Sequence, residues 1–308
     1  MPWNPILAGV DASPEGVEAA TFASRLAGRL GASCRLIHAT RDPLVSPQVP
    51  DSARYRNALV EQARAHVITT LRDALPPELL GGLAVRLGPT PIVLKQAAAE
   101  LGAEVIVLGG KHHSALGRWI GGSTSLDVAR TTEVPLLVTS GPATIRRVLV
   151  AVDVSGAAGP TLAAAERYAT ALGAELRAFS VLEPLPIIPE VTPPYDASEF
   201  YAMSEELLRR DVWSLLRMPG AERVVRYGLA VETIMREATD WSADLLVVGS
   251  HGKGWAERLL VGSVTERLLN HLPTSLLVIP AHARAVEPAI ERYRATISPS
   301  PATCTSPA

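Results

Sequence analysis

The chain has 308 residues, 47% hydrophobic and 19% charged, the profile of a packed globular protein long enough for two domains. Its formal net charge of −2, with no block of Lys or Arg, excludes the clustered cationic face that nucleic acid requires. No basic leader precedes a long apolar run and no stretch reaches the roughly 18 to 20 apolar residues of a membrane span, so the expectation is a cytoplasmic protein with neither a membrane nor a nucleic-acid partner.

In chain order, a short apolar strand at Ile6 to Val10 runs into a turn and an alanine-rich helical pattern ending at Leu30-Gly31. The strand CRLIHA follows, and with it the first cysteine, Cys34. The second, Cys304, is distant, so neither a disulfide framework nor a metal cluster is expected. A proline-rich loop leads to a long helix, about Ala53 to Ala74, then the strand GLAVRLG, a helix, the strand EVIVLGG, a last helix and the strand PLLVTS. Gly-Pro then interrupts the pattern in TSGPATIRR.

From Val148 the same series starts again. Asp11 falls on Asp153 and Gly31 on Gly173 at one common offset. Gly122-Ser123 falls on Gly262-Ser263 at an offset two residues shorter. The second series reads Val148 to Val152, a helix, LRAFSV, a helix at about Ala197 to Leu216, ERVVRYG, a helix, DLLVVGS, a helix and SLLVIP. One unit has been duplicated in tandem, giving domains at residues 1–141 and 142–283. The proline- and serine-rich residues 284–308 are expected to be a disordered tail.

Continuous apolar strands separated by helices predict an α/β fold: two tandem open parallel five-stranded sheets, each with helices on both faces. Such sheets bind ligands outside the carboxyl ends of their strands. The residues at that position in the second repeat are VVGSHGKGWAERLLVGSVTERLL, with Gly249-x-x-Gly252, nine residues, and then Gly262-Ser263 before a helical pattern. Glycines let a backbone approach a phosphate, and the helix start adds unpaired N–H groups, a serine hydroxyl and a positive dipole end. Neither a lysine-bearing phosphate loop nor the G-x-G-x-x-G of dinucleotide folds is present. Ser263-x-x-Glu266 is equally the pattern of a capping box, which would explain the serine by helix stability alone.

On these residues the chain resembles a tandem universal stress protein. Nucleotide-binding members of that family carry G-x2-G-x9-G-[ST], matched here by Gly249, Gly252, Gly262 and Ser263, with Val264 next; the likeness covers nearly all of residues 3–282. The resemblance implies a Rossmann-like nucleotide fold and ATP, with Mg, as the cofactor. It places Asp153 after the first strand, against the base or ribose, and Val181 after the second strand, behind the base. Asp153 in an Asx turn capping the next helix is the other reading of that residue. Ser250, His251 and Lys253 inside the loop are weaker candidates, as are Asp11, Gly109, Gly122 and Ser123, the first-repeat counterparts of Asp153, Gly249, Gly262 and Ser263. Lys253 and Arg258 are either phosphate partners or solvated charges, and Trp119 and Trp255 are read as packing residues.

In the first repeat His112 stands where the second has Gly252, and Ala39 where the second has Val181. A side chain at that glycine strains or fills the loop, so the first repeat is expected to be a degenerate mate that holds no nucleotide. Lys111, His112 and His113 as a cationic substitute is the competing reading. No nucleophile triad, paired carboxylate or metal-ligand spacing stands out, so no catalytic residue is assigned. Slow ATP hydrolysis is the most that the resemblance permits. The function expected is a nucleotide-binding regulatory protein of the stress response; an interaction scaffold without nucleotide is the alternative. Pairing of the last strands, PLLVTS with SLLVIP, would seal two exposed sheet edges and form an intrachain pseudo-dimer, with a homodimer of chains as a further step.

Overall fold

The structure, a computed structural model, describes residues 3–42, 52–110, 123–141, 143–184, 197–251 and 261–280. Lys111, His112, His113, Trp119, Gly122, Gly252, Lys253, Trp255, Arg258 and the expected tail lie outside the described residues.

The first repeat contributes β1 (Ile6–Gly9), α1 (Pro14–Leu30), β2 (Cys34–Thr40), α2 (Ser52–Leu71), a short α3 (Pro77–Gly81), β3 (Ala84–Leu87), α4 (Thr90–Leu101), β4 (Val105–Gly109), α5 (Ser123–Thr131) and β5 (Leu136–Thr139). The second contributes β6 (Arg147–Ala151), α6 (Ala158–Leu172), β7 (Glu175–Leu182), α7 (Ala197–Leu207), β8 (Glu222–Tyr227), α8 (Ala230–Asp240), β9 (Leu245–Gly249), α9 (Ser263–Asn270) and β10 (Ser275–Ile279). The long helix expected over about Ala197 to Leu216 is broken: after Leu207 the chain passes into a π-helical turn, Leu208–Val212, and a 3-10 turn, Trp213–Leu215.

Glycines end three helices where the sequence places them. Gly31, Gly102 and Gly173 adopt the left-handed conformation, with φ of 61°, 61° and 62°, which costs a side-chain-bearing residue strain and a glycine none. The strand order is β3-β2-β1-β4-β5-β10-β9-β6-β7-β8, so the two five-stranded parallel halves join into one ten-stranded sheet. Their join is the antiparallel pair β5–β10, in register Leu276↔Val138, Leu277↔Leu137 and Val278↔Leu136. It is the pairing of last strands anticipated from the edge argument. Ser275 Oγ fastens its end by accepting from Ser140 N and donating to Ser140 O.

Strand residues alternate between two cores. Val148 and Val150 pack with α1, α2 and α6 on one face, whereas Leu149 packs with α4, α8 and α9 residues on the other. Inner strands such as β4 and β9 are therefore apolar on both faces, while the outer β3 and β8 carry Arg86 and Glu222, Arg223 and Arg226. Trp3 links the repeats: fully buried, it packs against Tyr168 of α6 with ring centroids 4.4 Å apart and planes tilted by 38°. No helix among the described residues is long and apolar enough to cross a membrane.

Candidate functional site

In each half the strand order reverses beside the first strand, opening a crevice at the carboxyl ends. In the second repeat that crevice is a cavity of about 480 Å³. Ala151, Val152, Asp153 and Val154 form its centre at the end of β6; Ser180, Val181, Leu182 and Glu183 line it from the end of β7. On the β9 side stand Gly249, His251, Gly262, Ser263, Val264 and Thr265; over the opposite side stand Phe200, Met203 and Leu207 of α7.

The β9 side is held by a compact set of hydrogen bonds. Thr265 Oγ1 donates to Gly249 O at 2.7 Å, Gly262 N to Ser250 O at 2.8 Å, and Ser250 N to Ile279 O at 2.7 Å. These bonds tie the start of α9 to the mouth of β9 and bring Gly249 and Ser263 to one cavity. Gly262, not Ser263, is the N-cap of α9, and no side chain caps the helix. The capping box expected as one reading of Ser263 is therefore not formed: the serine is the first helical residue, exposed, on the cavity wall. What remains is a helix N-terminus whose backbone N–H groups and positive dipole end border the cavity.

Asp153 does form the Asx turn, Oδ1 accepting from Ser155 N at 3.0 Å, and lines the cavity as well. The two readings of that residue are geometrically compatible. His251 lines the cavity with Nδ1 2.8 Å from Ser250 Oγ. Ser250 is itself buried behind it, so its hydroxyl orients the imidazole rather than facing the cavity. Glu183 reaches across to accept from Ala230 N at 2.9 Å, which satisfies the N-terminus of α8.

The first repeat places its counterparts differently. Ser13 caps α1, accepting from Gly16 N at 3.0 Å, and Pro14 opens the helix with its φ already set. The second repeat has Gly156 at the position of Pro14, and α6 starts only at Ala158. The earlier start drives the α1 backbone onto β4: a Cβ on Gly109 would stand 2.2 Å from Glu15 O. On Gly249 the nearest atom, Thr161 Oγ1, would be 3.0 Å away. Asp11 is exposed and accepts from Ser13 N at 3.0 Å. Ser123 opens α5.

Sequence reasoning missed Thr161, Ser180, Glu183 and the α7 residues. Comparing the repeats would have found Ser180, since His38 occupies its place in the first. The α7 helix was legible, but nothing local marks it as a wall of the cavity, since it follows the stretch where the repeats differ most.

Fold and crevice together define a tandem-repeat, doubly wound α/β protein with a cavity at the carboxyl ends of the strands of its second repeat. The profile of the universal stress protein family matches residues 2–140 and again 144–280, and the chain belongs to that family. A universal stress protein of Mycolicibacterium smegmatis is 29% identical over 287 residues, covering 89% of this chain and 96% of that protein. One from Thermus aquaticus is 27% identical over 136 residues, 44% of this chain and 98% of that protein, as a single repeat would be. The crystal structure of a universal stress protein from Archaeoglobus fulgidus superposes with a TM-score of 0.59 at 18% identity, covering 90% of this chain and 98% of that one, a likeness of fold.

Proposed function

We propose that the protein is a regulatory nucleotide-binding protein, holding ATP in the second unit, residues 142–283, while the first, residues 1–141, is its structural mate. One observation carries the reading: the side-chain-uncapped N-terminus of α9, with Gly262 and Ser263, borders the same cavity as Gly249, Asp153 and Val181. Phosphates belong at the α9 end, where N–H groups and the dipole favour negative charge. Base and ribose belong at the β6 and β7 ends, where Val181 offers an apolar wall and Asp153 a carboxylate acceptor. Gly252 belongs to the phosphate end by the sequence motif alone. Closure of the first repeat by Glu15 over Gly109 supports one site per chain.

The test is calorimetric titration of nucleotide-stripped protein with Mg-ATP, alongside Gly262→Asp. Aspartate is a favoured N-cap, so the variant keeps α9 while placing a carboxylate where phosphate would lie. One site per chain, with affinity lowered at least about a hundredfold by that like charge, is the expected result. Absence of binding to the wild type hands the case to a nucleotide-free scaffold. Phosphate release above that of Gly262→Asp would identify a slow ATPase.

A further inference from the structure

Glu266, the carboxylate half of the expected capping box, is engaged elsewhere. It is the acidic residue in the first turn of α9, next to but not among the cavity-lining residues 262–265. Its Oε2 lies 3.6 Å from Nη2 of Arg130, on α5 of the first repeat. The contact is one-sided. At the offset that brings Gly122 onto Gly262, Arg130 corresponds to Asn270 and Glu266 to Leu126, so the reciprocal ion pair cannot form. The first repeat thus lends a cation to the α9 of the second and receives none in return.

The two helices meet over the β5–β10 join. Val128 and Ala129 of α5 share a core with Leu268 and Leu269 of α9. A Cβ on Gly110, just past β4, would stand 2.4 Å from Leu272 Cδ1 and 2.7 Å from Thr139 O, so the residues after α9 lie hard against the first repeat. Arg130 sits in this junction with its Nε buried and without a hydrogen-bond partner, while its fork reaches Asp127 Oδ1 at 3.8 Å and Glu266 at 3.6 Å. As a stabilising element the arrangement is poor: a buried donor without a partner costs free energy, and partly exposed ion pairs contribute little. What it supplies is a permanent positive charge beside the carboxylate of the α9 first turn. Released, that carboxylate would be drawn to the positive end of its own helix and would compete there with an anion.

We propose that Arg130 is a positioning residue for the phosphate end of the second-repeat site: from the first repeat it holds the Glu266 side chain on the α5 side and offsets its charge, leaving the α9 N-terminus to the ligand. Joining the repeats through β5 and β10 therefore tunes the site as well as sealing the sheet. The inference rests on the nucleotide reading of that site.

The experiment titrates Mg-ATP, Mg-ADP and AMP by calorimetry into wild type, Arg130→Met, Arg130→Lys, Glu266→Gln and the double variant Arg130→Met/Glu266→Gln. Methionine keeps an unbranched stem in the junction, so the variant should fold. Arg130→Met should weaken ATP about tenfold and AMP only about threefold, with ADP between, because an uncompensated carboxylate repels in proportion to ligand charge. The loss should shrink as salt is raised. Arg130→Lys, which keeps the charge, should stay within about threefold of wild type. The double variant should bind as Glu266→Gln alone does, since Arg130 acts through that carboxylate. An equal loss for all three nucleotides, or a loss that persists in the Glu266→Gln background, would assign Arg130 a packing role and overturn the proposal, as would unchanged affinity in Arg130→Met; each leaves the nucleotide reading standing. Failure of the wild type to bind any of the three overturns both.

Discussion

Paired substitutions at the equivalent glycines of the two repeats, Gly109→Ala and Gly249→Ala, separate a closed site from an open one. The methyl on residue 109 would stand 2.2 Å from the Glu15 carbonyl oxygen and 2.6 Å from its carbon. Both are backbone atoms in the first turn of α1, so relief requires moving the helix. Overpacking of this kind costs about 1 to 3 kcal/mol, and an immovable backbone obstacle places it at the upper end. On residue 249 the nearest atoms are Thr161 Oγ1 at 3.0 Å and His251 O at 3.2 Å, where a shift of a few tenths of an ångström suffices. Neither glycine has a positive φ, so each alanine also gains about 0.4 to 1 kcal/mol from a more restricted unfolded chain. The net expectation is a loss of about 2 to 3 kcal/mol for Gly109→Ala and near zero for Gly249→Ala. At about 2 to 4 °C per kcal/mol for chains of this class, the first should melt about 5 to 10 °C below wild type and the second close to it. Thermal unfolding followed by circular dichroism, without nucleotide, reads both. Equal midpoints would refute the argument that the α1 backbone closes the first site.

Two further outcomes follow from the core. Trp3→Ala should cost about 3 to 5 kcal/mol, because the indole is fully buried against Tyr168 across the repeats; urea unfolding measures it, and a loss below 1 kcal/mol would mean that Trp3 does not join them. Burial pushes the Cys34 thiol up from 9.0 to about 11, partly offset by Arg35. In a Cys304→Ser chain at pH 8, iodoacetamide should therefore alkylate native protein about a hundredfold more slowly than protein in urea. Because the unfolded thiol ionises first, that group's contribution to stability is full below about pH 9 and declines as pH rises towards 11. Equal native and unfolded alkylation rates would remove the premise.

By itself the sequence determined the duplication, the α/β class and the glycine spacing. Helix and strand periodicity are local, and glycine stops and apolar runs report backbone needs that neighbours along the chain already impose. It also anticipated the β5–β10 pairing, since an apolar edge strand demands a partner and the other repeat supplies an equal one. Tertiary structure decided the rest. Ser263 reads equally as a cap or a ligand group until Gly262 is seen to hold the N-cap and place the serine on the cavity. Gly109 and Gly249 are the same letter at the same strand end; whether the α-carbon is covered depends on where α1 and α6 begin, a choice between Pro14 and Gly156 felt across the sheet. Ser180 looks like an ordinary strand position, and it joins the cavity wall only when β6, β7 and α7, distant along the chain, come together. A site built between elements is set by their packing, and no local pattern carries that information.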